Sequence, residues 1–347
     1  MAEQTDVVAV SSGIAAPVVD HDVLVLRVVY QIFTKYSWIV IIAAGLFGNV
    51  MSVIITLQKD NRRISTCNYM TALAIADSGV LVVELVWGIF LHIWDTNPPT
   101  EFDMQLMWYL AYVFAIASGF YLAEMTVDRL IVVRFPMSAP AHCTTHRALI
   151  TIVATFVVIS GLNLYIMYVY KYVEDEDTGQ GILRMTVEDA PELESLGNSA
   201  QLAIGTILPF VIIVFCNLWI FIVLHRASKE RERMGVSKEG QETRAKETTY
   251  LTRMLILVSI AYVMTSIPFR MYDVIIGIPE VKAIYTENMK TDEYWSLRYY
   301  CQHFIMLNIW EMNFGINFYL YCVGGGKKYR NDVKERLGNM LFCFQAK

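Results

Sequence analysis

The chain has 347 residues, 55% of them hydrophobic and only 18% charged, with a formal net charge of −5 and a mean hydropathy of +0.42. Soluble domains carry about a quarter charged residues, so this composition excludes an ordinary soluble protein. The slight acidic balance leaves no basic footprint for nucleic acid, and its meaning lies in how the charges divide across a membrane.

The apolar residues fall in seven long blocks, near 36–58, 67–92, 104–135, 147–170, 200–225, 249–276 and 297–323. A bilayer core of ~30 Å takes about 20 helical residues. Only helices or closed barrels satisfy their own backbone in lipid, and these continuous runs lack the period of two that barrel strands show. The sequence therefore predicts an all-α fold. A seven-transmembrane helix bundle at 36–323 follows an extracellular segment at 1–35 and precedes a cytoplasmic amphipathic eighth helix and tail at 324–347. Residues 1–35 hold no basic stretch followed by a compact apolar one, so the first span is expected to act as its own insertion signal. No Asn-x-Ser/Thr sequence occurs, so N-glycosylation is not expected.

Lysine and arginine orient the bundle. One side, with the 226–253 stretch and the tail, holds 20 of the 28 Lys and Arg, and the other holds 8. The first side is therefore read as cytoplasmic. The expected product is a multi-pass plasma-membrane protein with its N-terminus outside.

Charged and amide side chains inside spans are costly and by default mark function. Span one carries Asn49 in "GLFGNV", and span two carries Asp77 in "ALAIADSGV", with Glu84 two turns further out and Trp87 beyond it. Span three carries Tyr112 and Ser118, the latter three turns before Arg129 and on the same face. It closes on "TVDRLIVVRFPM", where Asp128 beside Arg129 offers an ion pair whose release would act as a switch. Between spans four and five runs an acidic loop with Glu174, Asp175, Glu176, Asp177, Glu188, Asp189, Glu192 and Glu194. It reads either as a solvated segment or as a negative vestibule that concentrates a basic ligand. Span five contains Pro209 and span six Pro268, where a membrane helix tolerates a kink. Span six also brings Tyr262, Arg270 and Asp273, and span seven brings His303, Trp310 and Glu311. Asn313, Asn317 and Tyr321 follow at a spacing of four, on one face. After "GGG" at 324–326, residues 327–338 read as an amphipathic helix lying along the membrane. Cys343 beyond it is either a palmitoylation site or a plain thiol.

A single carboxylate, Asp77, ringed by amides and a hydroxyl reads both as a small-cation site and as a polar network holding helices together. Glu84 and Glu311, in outer halves, read as partners for a ligand's cationic group or as cross-helix hydrogen-bonding residues. Trp87, Tyr112, His303 and Trp310 offer aromatic walls for cation–π contacts. Arg270 is the exception in an acidic surround, set to pair with an acid or to meet a ligand carbonyl or carboxyl. No His-rich metal constellation, nucleophile elbow or paired catalytic acids occur, so an enzyme is not expected. A transporter would carry internal repeats or matching broken helices in two halves, and none is evident.

These residues resemble the rhodopsin-like (class A) G-protein-coupled receptors across all seven spans. "GN" at 48–49, "LAIAD" at 73–77, "DRL" at 128–130, "ILPF" at 207–210, "SIPF" at 266–269 and "NFGINFYLY" at 313–321 carry the likeness. "INFYLYC" before the Gly- and Lys-rich joint is particularly similar to invertebrate neuropeptide receptors of the FMRFamide-receptor group. The resemblance implies that Asp77, Ser118, Asn313 and Asn317, with Asn49 in the same network, form a pocket for an allosteric sodium ion. It implies that Asp128, Arg129, Tyr262 and Tyr321 rearrange as helix six swings outward, and that Met137 enters a pocket on a heterotrimeric G protein. An extracellular peptide, basic or amidated, is the implied ligand, with arrestin a further partner. The chain departs from the family pattern at several places. Met104 stands where a disulfide-forming cysteine is usual, Ser266 where helix six carries its tryptophan, Leu130 for the motif tyrosine and Phe318 for the helix-seven proline. Ala111 replaces the aspartate of amine receptors, and Glu311 the lysine of opsins. The departures keep alive a decoy that binds ligand without coupling.

Overall fold

A computed structural model describes residues 21–93, 100–174, 181–185, 196–197, 199–233 and 242–345. Seven long helices form the bundle. Helix one is continuous through His21–Gln31, a π-helical stretch at Ile32–Ser37 and Trp38–Thr56. Helix two is Ser65–Ile93, helix three Glu101–Arg134 and helix four Thr145–Leu162. Helix five joins a second π-helical stretch, Gln201–Ile207, to Leu208–Arg233, and helix six is Glu242–Gly277 with Pro268 inside. Helix seven runs as Glu293–Gly315 and Asn317–Gly324, and Gly326–Gln345 follows as the eighth helix.

Local chemistry sets the helix starts. Thr100 and Asp103 form a reciprocal capping box at the head of helix three, with the Thr100 amide donating to Asp103 at 2.9 Å. Thr144 accepts from the Arg147 amide at the head of helix four, and Asp292 from the Tyr294 amide at the head of helix seven. Helices one and seven cross where two glycines meet. A Cβ on Gly45 would lie 2.9 Å from the Gly315 Cα, so a side chain here would force the backbones apart. The core runs along helix three, where Val113, Ala117, Leu122 and Met125 pack against Leu73 and Met254. Met104, at the place of the usual cysteine, is buried.

Six of the described helices are long and apolar enough to cross a membrane. Helix seven falls outside that set because its outer half, "EYWSLRYYCQHF", is polar and aromatic. This half packs against helices one and six while most of its side chains stay partly exposed. Three features were not legible in the hydropathy. Helix one is already formed at His21, well before 36. Pro279–Thr291 forms a helix in the third outer loop. The eighth helix continues past 338 to Gln345. Tyr170–Glu174 pairs with Gly181–Met185 as an antiparallel hairpin in the acidic loop. The acids at 175–177, 188, 189, 192 and 194 lie outside the described residues, as does the side chain of Cys343.

Candidate functional site

The polar residues form an inner group and an outer group. At the centre of the inner group Asp77 is wholly buried. Ser118 Oγ on helix three donates to its Oδ1 at 2.5 Å, and Asn317 Nδ2 on helix seven donates to its Oδ2 at 2.7 Å. One carboxylate thus ties three helices together. The other two amides turn elsewhere. Asn313 Oδ1 accepts from Thr265 of helix six at 3.4 Å, and Asn49 Nδ2 donates to the Phe314 carbonyl at 2.9 Å. The Asn49 Oδ1 is buried without a hydrogen-bond partner. Asn313 and Asn317 share a helical face, yet one reaches helix six and the other helix two.

Further in, Arg129 and Asp128 are both buried. The expected direct ion pair is stretched to 4.0 Å. Thr66, at the start of helix two, stands between them: its hydroxyl donates to Asp128 Oδ2 at 2.7 Å and accepts from Arg129 Nε at 2.6 Å. Arg129 Nη2 also contacts the same oxygen. Sequence reasoning missed Thr66 because one hydroxyl at a helix start carries no distinguishing signal. Tyr250 of helix six lies near enough to Arg129 to interact electrostatically. The Cys143 thiol, in the loop beyond helix three, faces the Asp128 carbonyl at 3.6 Å. Burial, then the Asp128 charge, push this thiol up to about 12, so it is a poor nucleophile. Tyr321 is 2% exposed, its hydroxyl has no hydrogen-bond partner, and its ring meets that of Tyr329 at 6.1 Å. Met137 is 95% exposed beyond the end of helix three.

The outer group divides at Trp310. On the helix-six side Trp310 stacks on Phe269 at 5.3 Å and meets Phe314 edge-on at 4.8 Å. Arg270 lies over both Phe269 and Trp310, 5.8 and 5.9 Å from the ring centres, and its Nη1 is 3.6 Å from Asp273. A small cavity opens here, lined by Arg270, Trp310, Asn313, Tyr262, Ser266 and Thr206 among others. Ser266, at the place of the usual helix-six tryptophan, lines this cavity together with the helix-seven Trp310. His303 sits one layer out, stacked on Tyr299 at 6.3 Å and tilted against Tyr272 at 6.1 Å. Tyr112 stacks on Trp108 at 5.9 Å on helix three.

Glu311, the next residue along helix seven, is rotated about 100° from Trp310. It lies on the helix-two side, close enough to half-buried Glu84 for their charges to interact. Glu311 is 3% exposed, and its Oε2 has no hydrogen-bond partner. The two acids therefore do not line the cavity that holds Arg270. Trp87 is half-buried on helix two. A further acid was missed: Glu124 of helix three accepts from Thr155 of helix four while its other oxygen is buried and unpartnered. The rule that found Glu84, an acid inside a span, applies equally to it.

This architecture, seven helices closed on a buried carboxylate and an inner arginine, is that of a multi-pass membrane receptor. Residues 48–312 match the family model described as 7 transmembrane receptor (rhodopsin family), and the chain belongs to that family, a family of receptors rather than enzymes. Among curated relatives, the thyrotropin-releasing hormone receptor of Gallus gallus is 30% identical over 119 residues, 34% of this chain and 30% of that protein. The match thus spans under a third of that relative's length. The cysteinyl leukotriene receptor 1 of Sus scrofa is 23% identical over 239 residues, covering 68% of this chain and 65% of that one. The FMRFamide receptor of Drosophila melanogaster is 22% identical over 245 residues, covering 65% and 42%.

Proposed function

We propose that this receptor binds a basic or amidated peptide in its outer half and activates a heterotrimeric G protein at its inner face, with its N-terminus outside. The observation that carries the ligand reading is Glu311, a deeply buried carboxylate with an oxygen unpartnered beside a second acid, Glu84. A buried carboxylate without partners is costly, and a ligand ammonium or guanidinium would satisfy both acids at once. Across Trp310, Arg270 offers donors for a peptide carbonyl, and Phe269, His303 and Trp310 offer apolar and cation–π surface. Likeness to the FMRFamide receptor supports a peptide, and likeness to the leukotriene receptor makes lipids the control ligands.

Asp77 and its neighbours fit a sodium ion in their chemistry. One carboxylate supplies the charge, Ser118 keeps lone pairs after donating to it, and Asn49 Oδ1 is an acceptor without a partner. A bound ion would hold helices two, three and seven in the resting arrangement. At the inner face, release of Arg129 from Thr66 would open a crevice beside exposed Met137 for the G protein.

The reading is tested by expressing the chain in cultured cells and recording G-protein subunit dissociation against amidated basic peptides, amines and lipids. Saturable activation by a basic peptide, right-shifted by Glu311→Gln, is the expected result. Activation by lipids or amines alone would overturn the peptide assignment. Specific peptide binding with no dissociation of any subunit would favour the decoy, to which the Ser266 departure points.

A further inference from the structure

Resting on the coupling role above, we infer that Arg253 is a positioning residue for coupling: it latches helix six to the inner end of helix seven and so sets the receptor's basal activity. Helix seven ends at Gly324, where the last carbonyls of a helix have no partner within the helix. The Gly325 amide returns to the Tyr321 carbonyl at 2.7 Å, and the Gly324 carbonyl is taken by helix six. Arg253 Nε and Nη2 both donate to it, at 3.3 and 3.1 Å. A guanidinium at a helix C-terminus also meets the negative end of the helix dipole.

Two glycines make the contact reachable. A Cβ on Gly324 would lie 3.0 Å from the Cα of Met254, the residue next to Arg253. A Cβ on Gly325 would lie 2.9 Å from the Met254 sulfur and would also strike the Tyr321 carbonyl. Helix six therefore packs so near the backbone of helix seven that a side chain at either glycine would force a shift. The run at 324–326 does more than break a helix: it gives Arg253 a bare carbonyl to hold. Tyr321 is one turn before that carbonyl on the same helical segment. Any outward movement of the inner end of helix six must part Arg253 from Gly324 and separate Met254 from the glycines. The same movement would uncover Tyr321.

The test needs no ligand. Basal G-protein activation is measured at matched surface expression for the wild type, Arg253→Ala and Arg253→Lys. In parallel, nitroxides at Leu57→Cys and Thr249→Cys report the distance from helix one to helix six in purified receptor in lipid nanodiscs, in a chain whose reactive native cysteines are replaced. Arg253→Ala is expected to raise basal activation roughly fivefold and to shift the distance distribution outward, because a bond to a charged donor is lost. Arg253→Lys, which keeps one cationic donor, should fall between. Gly324→Ala should move the distribution the same way through Met254. Unchanged distances in Arg253→Ala would overturn the latch. The distances decide the matter even if no G protein is activated, a result that would count against the coupling role alone.

Discussion

In the inner half of the bundle, both oxygens of Asp77 accept hydrogen bonds at 2.7 Å or less, and a single hydroxyl from Thr66 joins Asp128 to Arg129. In the outer half, Arg270 and Asp273 meet at 3.6 Å with side chains 26% and 40% exposed, and Glu311 keeps an oxygen without a partner. The charged inner residues find their partners within the chain, which makes them a held state, although Asn49 Oδ1 and the Tyr321 hydroxyl beside them have none. The outer groups are left partly unsatisfied, which suits a surface completed by something else. Polar groups buried in pairs are stable only together, so substitutions should act differently in the two halves.

The largest effect belongs to Arg129. Arg129→Ala should abolish coupling while surface expression persists, read as subunit dissociation at matched receptor density. Next comes Asp77→Ala, which strands the Ser118 hydroxyl and the Asn317 amide. It should lower unfolding stability by about 2 kcal/mol and remove any sodium dependence, measured by thermal unfolding with sodium or N-methylglucamine as the cation. A smaller change is expected from Thr66→Val, which deprives both Asp128 and Arg129 of their shared partner. Basal coupling should rise about fivefold, and Thr66→Ser should restore it. In the outer half Arg270→Gln should cost less stability than Asp77→Ala, since its ion pair is partly open to water. It should weaken peptide potency about tenfold, as loss of a contacting arginine commonly does. Smallest of all, Arg27→Ala breaks a 2.5 Å contact with Glu293 between two side chains more than half exposed. It should leave the melting temperature unmoved. A stability loss at Arg270 equal to that at Asp77 would erase the distinction between the halves.

Much of the fold was legible because bilayer thickness turns helix length into a count of apolar residues. Helix seven was read as an apolar block at 297–323 like the other six, yet it is not among the described helices that are long and apolar enough to cross a membrane. The two π-helical stretches and the Pro279–Thr291 helix carry no pattern that separates them from ordinary helix or loop. For the inner group, residue type and the family resemblance grouped Ser118, Asn313 and Asn317 with Asp77, and Ser118 and Asn317 are the two that bond to it. Sequence spacing could not divide Asn313 from Asn317, because a shared face on one helix does not say which neighbour each residue meets. Arg270 was read as able to pair with an outer acid, and it meets Asp273 at 3.6 Å. Glu84 and Glu311 lie apart from it across Trp310, since successive helical residues point about 100° apart. Thr66 and the Gly324 carbonyl were invisible for a common reason: hydroxyls and backbone carbonyls occur everywhere, and only geometry selects one.

Arg129 is the residue proposed to link an outer ligand to an inner G protein. The deciding measurement is a dose–response of subunit dissociation to a basic amidated peptide, for the wild type and Arg129→Ala at equal surface expression, with peptide binding recorded on the same cells. A saturable response is expected in the wild type, none in the variant, and binding in both. A full response in Arg129→Ala would contradict that role.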